Sequence, residues 1–142
     1  MSESVKKEIV DRLKQMFLGW SPGESDFSIE DVAEYYDQSR RFFAFDTLMP
    51  TTSVMRGWQS FTDNWEQMLA IQLKNFVCTL DEIVFHEVQG DFSWMGLCLS
   101  VKAEEIDSGK VLEAEQQVSL VLQRQQGVWR IVHEHLSGPI RR

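Results

Sequence analysis

The spacing of apolar residues changes at Lys74, and that change constrains the fold more than any other feature of the chain. Before it, hydrophobic side chains recur at helical intervals. After it they recur about every second residue, through four strand-like runs around 74–89, 92–105, 111–125 and 128–137. Gly90-Asp91, Asp107-Ser108-Gly109 and Gln126-Gly127 join the runs, and short glycine-containing links of this kind suit reversals between antiparallel neighbours.

Upstream, "SVKKEIVDRLKQMFLGW" sets Val5, Ile9, Leu13, Met16, Phe17 and Trp20 on one face. This predicts an amphipathic helix over about residues 3–19, ended by Gly19 and Ser21-Pro22-Gly23. Ser28 followed by Asp31 resembles a capping box, so "IEDVAEYYDQS" is expected to be a second, shorter helix from Ile29. "RRFFAF" reads as a short strand and "DTLMPTTSVMRG" as a loop. "WQSFTDNWEQMLAIQ" reads as a third helix with Trp58, Phe61, Trp65, Met68 and Leu69 on one face. Three helices followed by four long strands predict one α+β domain over residues 1–142, with the helices on one face of a curved, mostly antiparallel meander. "IVFHEV", "SLVLQ" and "VWRIVHEHL" are apolar on both faces, whereas a sheet with water on one side alternates. A second burial partner is therefore expected, and a homodimer through the convex sheet face supplies it.

The formal charge of −8 argues against nucleic acid and anionic membranes, since Arg40-Arg41 and Arg141-Arg142 are ordinary surface pairs. No run approaches the roughly 20 apolar residues of a membrane span. Cys78 and Cys98 sit in apolar runs, "NFVCTL" and "MGLCLS", and read as buried free thiols of a reducing compartment. The charged N-terminus lacks the apolar core of a secretion signal. A soluble cytoplasmic protein is expected, without metal or organic cofactor.

The final run, "WRIVHEHLSGP", offers both metal-ligand and carboxylate chemistry. Strict alternation places Trp129, Ile131, His133, His135 and Ser137 on one face, and Arg130, Val132, Glu134 and Leu136 on the other. His-x-His on a strand is a metal-ligand spacing, but a third imidazole could come only from His86. The alternative for both histidines is hydrogen bonding at a subunit interface. Trp58, Trp65 and Trp94 read either as core or as the wall of a cavity for a flat apolar ligand.

Helix, helix, "FFAFDTLMP…MRGW", helix, and four strands closing on "GVWRIVHEHLSGP" resemble the nuclear transport factor 2-like superfamily. More narrowly, the pattern is similar to the SnoaL-like and ketosteroid-isomerase-like proteins. The most specific pieces are the closing strand and the spacing of Asp46, Pro50 and Gly57. The final strand is also similar to that of the association domain of calcium/calmodulin-dependent kinase II. The resemblance covers essentially the whole chain and implies a cone-shaped barrel, a curved, mostly antiparallel sheet wrapped around N-terminal helices, with an apolar pocket and usually a dimer. Enzymes and non-catalytic modules share this architecture, so it does not fix the function.

By position, Asp46 matches the family's catalytic base, where apolar neighbours would raise its pKa from about 3.9 and let it move a proton next to a carbonyl. The alternative is an Asp that accepts hydrogen bonds from its own loop and begins the turn, or that binds a ligand. The isomerases take a tyrosine donor from the first helix, where this chain has Phe17 and Trp20. Tyr35 and Tyr36 remain as donors, and Tyr36 matches an aromatic position of the family, where it could instead simply close the core. The pocket position before the closing serine transfers to Leu136, with Glu134 and Val132 on its face. The resemblance thus implies Glu134 as a pocket carboxylate facing Asp46 across the cone and held by Arg130; a salt bridge to Arg130 or Arg124 is the alternative. The expectation is a protein that binds a small hydrophobic molecule, with Trp58, Trp65, Trp94, Arg130, Val132 and Leu136 around it. The alternative is a pocket enzyme acting on a hydrophobic carbonyl compound, with Asp46 as base and Glu134 and Tyr36 polarising or positioning.

Overall fold

A computed structural model describes residues 2–47, 49–50 and 52–138. Pro139 and Arg141-Arg142 of the sequence reading lie outside them. Helix α1 (Ser2–Gly19) leads into two 3-10 turns, Ile29–Asp31 and Ala33–Tyr35. Strands β1 (Phe43–Asp46) and β2 (Val54–Arg56) precede helix α2 (Gly57–Gln67), which continues as a π turn over Met68–Gln72. The long strands β3 (Leu73–Gln89), β4 (Phe92–Glu105), β5 (Val111–Gln125) and β6 (Val128–Ser137) complete the domain. The six strands run in the order β2-β1-β6-β5-β4-β3, and every pairing is antiparallel except β1 with β6. The sheet curls into a cone around the helices without closing on itself, leaving β2 and β3 as its edges.

Apolar spacing explains α1. Ile9, Leu13, Met16, Phe17 and Trp20 are all buried, and each side chain of this size contributes about 1.5–3 kcal/mol when removed from water. Close packing governs the helix end. A Cβ on Gly19 would lie 2.7 Å from the Asp31 carbonyl oxygen and 2.9 Å from Val32 Cγ1, so only glycine lets the 3-10 segment approach. Ser21 then ties this end to the β3 edge: its Oγ accepts from Cys78 N at 2.8 Å and donates to Cys78 O at 3.0 Å.

Three expectations change. The second helix is a pair of 3-10 turns. Ser28 Oγ does accept from Glu30 N, but Tyr36 leaves in an extended conformation and bridges Ile131 of β6, while Asp37 N donates to Ile131 O at 2.9 Å. Docking onto the sheet thus competes with continuing the helix, and it prevails. The loop before Gly57 contains β2, whose three residues form a strand because they pair with β1, Phe43 opposite Arg56. Gly57, at φ +84°, turns that strand into α2. The third change is in β6. Leu122 faces Ile131 and Val121 faces His133, so Val132 is an extra residue, a β-bulge. The side-chain alternation resets there. Trp129 and Ile131 point into the core before the bulge, and Glu134 and Leu136 do so after it.

The convex face carries two rows that cross the sheet through paired residues. One runs Phe43, His133, Val121, Trp94 and Glu87; the other runs Phe45, His135, Ser119, Gly96 and Phe85. Phe43, Phe45, Phe85 and Trp94 are all exposed on this face. No helix among the described residues is long and apolar enough to cross a membrane.

Candidate functional site

The interior of the cone holds two chambers that share a waist. An inner chamber of about 40 Å³ lies against α1 and is walled by Met16, Phe17, Trp20, Tyr36, Glu134 and Leu136, among others. A mouth chamber of about 360 Å³ is walled by Asp46, Met68, Leu73, Ala103 and Leu112, among others. Trp65, Phe76, Val101 and Gln116 line both. The inner space suits about one water molecule or one small functional group, while the mouth is large enough for part of a ligand body.

One polar chain reaches the inner chamber. Trp20, one residue past the end of α1, donates from Nε1 to Tyr36 Oη at 3.2 Å, and Tyr36 hydrogen-bonds the Glu134 carboxyl. Both Tyr36 and Glu134 are buried. Desolvation raises Glu134 from the ordinary 4.5 to about 8; the Tyr36 hydrogen bond opposes the rise and the Asp46 charge adds to it. At neutral pH this carboxyl keeps its proton and can itself donate a hydrogen bond. Tyr36 is pushed well above its usual value by burial and by the neighbouring Glu134, so it stays a phenol. Cys78, also in this wall, is pushed up to about 12 by burial, then by Glu134 and Asp81, which makes it an inert thiol.

Asp46 lies in the mouth. Its backbone N donates to Ser53 O at 3.0 Å and its own carbonyl accepts from Met49 N, so it does begin the turn after β1. It does not face Glu134 across the cone. The parallel β1–β6 register sets Ala44 beside Glu134 and Asp46 beside Leu136, placing the two acids on adjacent strands of the same inner face.

The other expected wall residues divide. Trp65 lines both chambers and Leu136 the inner one. Trp58 packs on Tyr36, Phe42 and Phe61, behind the wall of either chamber. Trp94 lies on the convex face and is 40% exposed, because its neighbours Ser93 and Met95 take the inward positions on β4. Arg130 and Val132 line neither chamber. The bulge is the reason: before it the inward residues are Trp129 and Ile131, which turns Arg130 outward. Nor does an arginine hold Glu134, since Arg124 pairs with Asp91 at 2.9 Å and Tyr36 takes the carboxyl.

The histidines do not converge. His133 and His135 belong to the convex rows, whereas His86 pairs with inward-facing Met95 and its Nε2 lies 3.0 Å from Ser93 Oγ. His133 Nδ1 lies 3.0 Å from the Phe43 carbonyl, which can only accept, so Nδ1 carries the proton. Its ring stacks on Phe43 at 4.0 Å. Among the described residues no group of three or more His, Cys, Asp or Glu could hold a metal ion.

The expected wall omits one buried polar residue of the cavity. Gln116 is buried at the waist, and the signal for it was present: on β5 the inward series reads Leu112, Ala114, Gln116, Val118, Leu120, Leu122, one amide among apolar side chains. Trp20, expected on the apolar face of the first helix and standing where the isomerases have a tyrosine, anchors the polar chain.

A family model described as a SnoaL-like domain matches residues 25–141. The chain belongs to the SnoaL-like family. Among solved structures, the SnoaL-like chain superposes on a nuclear transport factor 2-like superfamily protein of Salmonella enterica with a TM-score of 0.85 and 19% identity, covering 98% of this chain and 94% of that one. A nuclear transport factor 2-like protein of unknown function from Pseudomonas putida gives 0.76 and 20%, covering 99% and 91%. The association domain of the C. elegans calcium/calmodulin-dependent kinase II gives 0.67 and 18%, covering 95% and 97%. At these identities the likeness is one of fold. No curated protein sequence matches this SnoaL-like chain significantly.

Proposed function

We propose that the protein binds a small apolar molecule in the mouth chamber, with a hydrogen-bond-accepting end directed toward Glu134 and Tyr36. The observation that carries this reading is the polar chain Trp20–Tyr36–Glu134 at the inner end of an otherwise apolar interior. Tyr36 gives its single proton to Glu134, which leaves the protonated carboxyl as the donor. It suits a carbonyl or hydroxyl oxygen and disfavours a cation. The cavity walls are largely hydrophobic and aromatic, as is common in small-molecule sites.

A second reading is supported by Asp46. A buried carboxylate in the mouth, whose charge acts on a protonated carboxyl deeper in, is an arrangement of base and acid for proton transfer on a hydrophobic carbonyl compound. A thermal-shift screen of flat hydrophobic carbonyl compounds on wild type and Asp46→Asn separates the two. Binding is expected to survive the substitution, with no turnover by either protein. Turnover by wild type that Asp46→Asn abolishes would replace binding with catalysis as the conclusion.

We also propose a cytoplasmic homodimer formed through the convex face, because its two aromatic rows leave Phe43, Phe45, Phe85 and Trp94 in water. Light scattering after size exclusion should give twice the chain mass at micromolar concentration, and a lysine at Phe43 should shift it toward one. A single-chain mass for wild type would refute the dimer.

A further inference from the structure

Among the described residues, Gly96 is the only glycine inside a strand. It stands in regular register in β4, opposite Phe85 on one side and Ser119 on the other, with ordinary strand backbone. Its neighbours Met95 and Leu97 are buried in the core, so Gly96 faces outward on the convex side. Packing within the chain does not account for it. A Cβ built there would meet only Val84 Cβ, at 3.9 Å, which is ordinary contact, whereas one on Gly19 would clash. A glycine in a strand interior weakens the strand, and a common reason to keep one is the close approach of another body. The missing side chain opens a shallow hollow of about 350 Å³ on the convex face, walled by Gly96, Val84, Ser119 and His135, among others. Two residues away, on the same strand and the same face, the indole of Trp94 stands exposed.

We propose that the hollow at Gly96 is a socket for the partner's Trp94 in a second copy of this chain, and that the partner's Gly96 receives Trp94 in return. This rests on the convex-face dimer above and fixes its register. A knob and a hollow side by side on one face are self-complementary, and a two-fold interface requires each contact to be reciprocal. Two sheets meeting face to face are exchanged by an axis that lies between them. For Trp94 and Gly96 to exchange places, that axis must run along the two convex rows, midway between them. Each strand then crosses over its own copy, and one row faces the other. Trp94 meets Gly96, Val121 meets Ser119 and Phe43 meets Phe45, so the bulk of one row falls on the smaller residues of the other at β4 and β5.

Complementary variants test the register by sedimentation. Trp94→Gly removes the knob and Gly96→Trp fills the socket. Each alone should lose at least about thirtyfold in dimer affinity, the scale of a buried aromatic anchor. Mixed in equal amounts, the two should pair with each other, because one brings two hollows and the other two indoles. Gly96→Val fills the socket more gently and should give a single-chain mass at micromolar concentration. Valine suits a strand and has room within the chain. At a dilution where both proteins are single chains, Gly96→Val should therefore resist denaturant at least as well as wild type, whereas a variant that had merely misfolded would not. Wild-type dimer affinity in Gly96→Val, or no mixed dimer from the complementary pair, would overturn the proposal while leaving the convex-face dimer intact. A single-chain mass for wild type would overturn both. Should Gly96→Trp fail to fold, Gly96→Phe takes its place in the mixture.

Discussion

Raising the pH from 6.5 to 8 should destabilise this protein, and Glu134→Gln should abolish the effect. The folded state holds the Glu134 proton up to about pH 8, whereas the unfolded chain releases it near 4.5. Between those values the folded protein binds more protons than the unfolded one, so stability falls as pH rises, by at most about 1.4 kcal/mol per pH unit. The stabilising preference is fully present below about 4.5 and is lost as pH passes through about 8. Asp46, Tyr36 and Cys78 are the other titratable groups acting on this carboxyl. Of these, Cys78 is raised from 9.0 to about 12, and with Tyr36 it affects the unfolding equilibrium only in more alkaline solution.

The histidines work in the opposite direction. Desolvation lowers both His86 and His133, so near and below 6.5 the unfolded chain holds protons that the folded one has shed. Their contribution makes stability rise with pH there and masks part of the Glu134 slope. Above 6.5 they no longer interfere. Glutamine keeps the shape and can still accept from Tyr36, yet has no proton to lose. Chemical denaturation at several pH values should therefore show wild type and Glu134→Gln similar near pH 5 and separated by a few kcal/mol at pH 8, the variant being the more stable. Parallel curves for the two proteins would mean that Glu134 ionises normally inside the fold.

That carboxyl also marks where reading the sequence stopped being sufficient. The four long strands and α1 were legible because their apolar period is local: each residue in "GVWRIVHEHLS" or "KKEIVDRLKQMF" announces its face through its neighbours. Strand β2 was not, since three residues, Val54, Met55 and Arg56, have no period and become a strand only by pairing with β1. The short helix expected from Ile29 was overridden by the attachment of Tyr36 and Asp37 to Ile131. The bulge at Val132 was invisible for the same reason: the extra residue exists only relative to β5. It is also why Glu134 and Leu136 could be assigned inward while Arg130 and Val132 were carried with them wrongly. Family likeness located the two acids, but their relation across one β1–β6 pairing, and the tyrosine between α1 and β6, depended on tertiary contacts that no run of residues encodes.

Tyr36→Phe tests those contacts most severely, although it removes a single oxygen. The phenol receives the Trp20 N–H and engages Glu134, so its loss leaves two buried polar groups without their partner. Each such group costs about 1–3 kcal/mol, and a destabilisation of roughly 2–5 kcal/mol is expected where an exposed Tyr→Phe would be nearly neutral. Because the Tyr36 hydrogen bond holds Glu134 down, its pKa should rise above about 8 in the variant, as followed by carbon NMR of the carboxyl. Adding Glu134→Leu to Tyr36→Phe should then recover stability at pH 8, since it removes a carboxyl that has become an unpaired liability. Additive losses in that double variant would show that the two side chains stabilise the fold independently. Recovery would show that Tyr36 is kept for what Glu134 does when something occupies the cavity, because an apolar pair in the same place makes the better empty core.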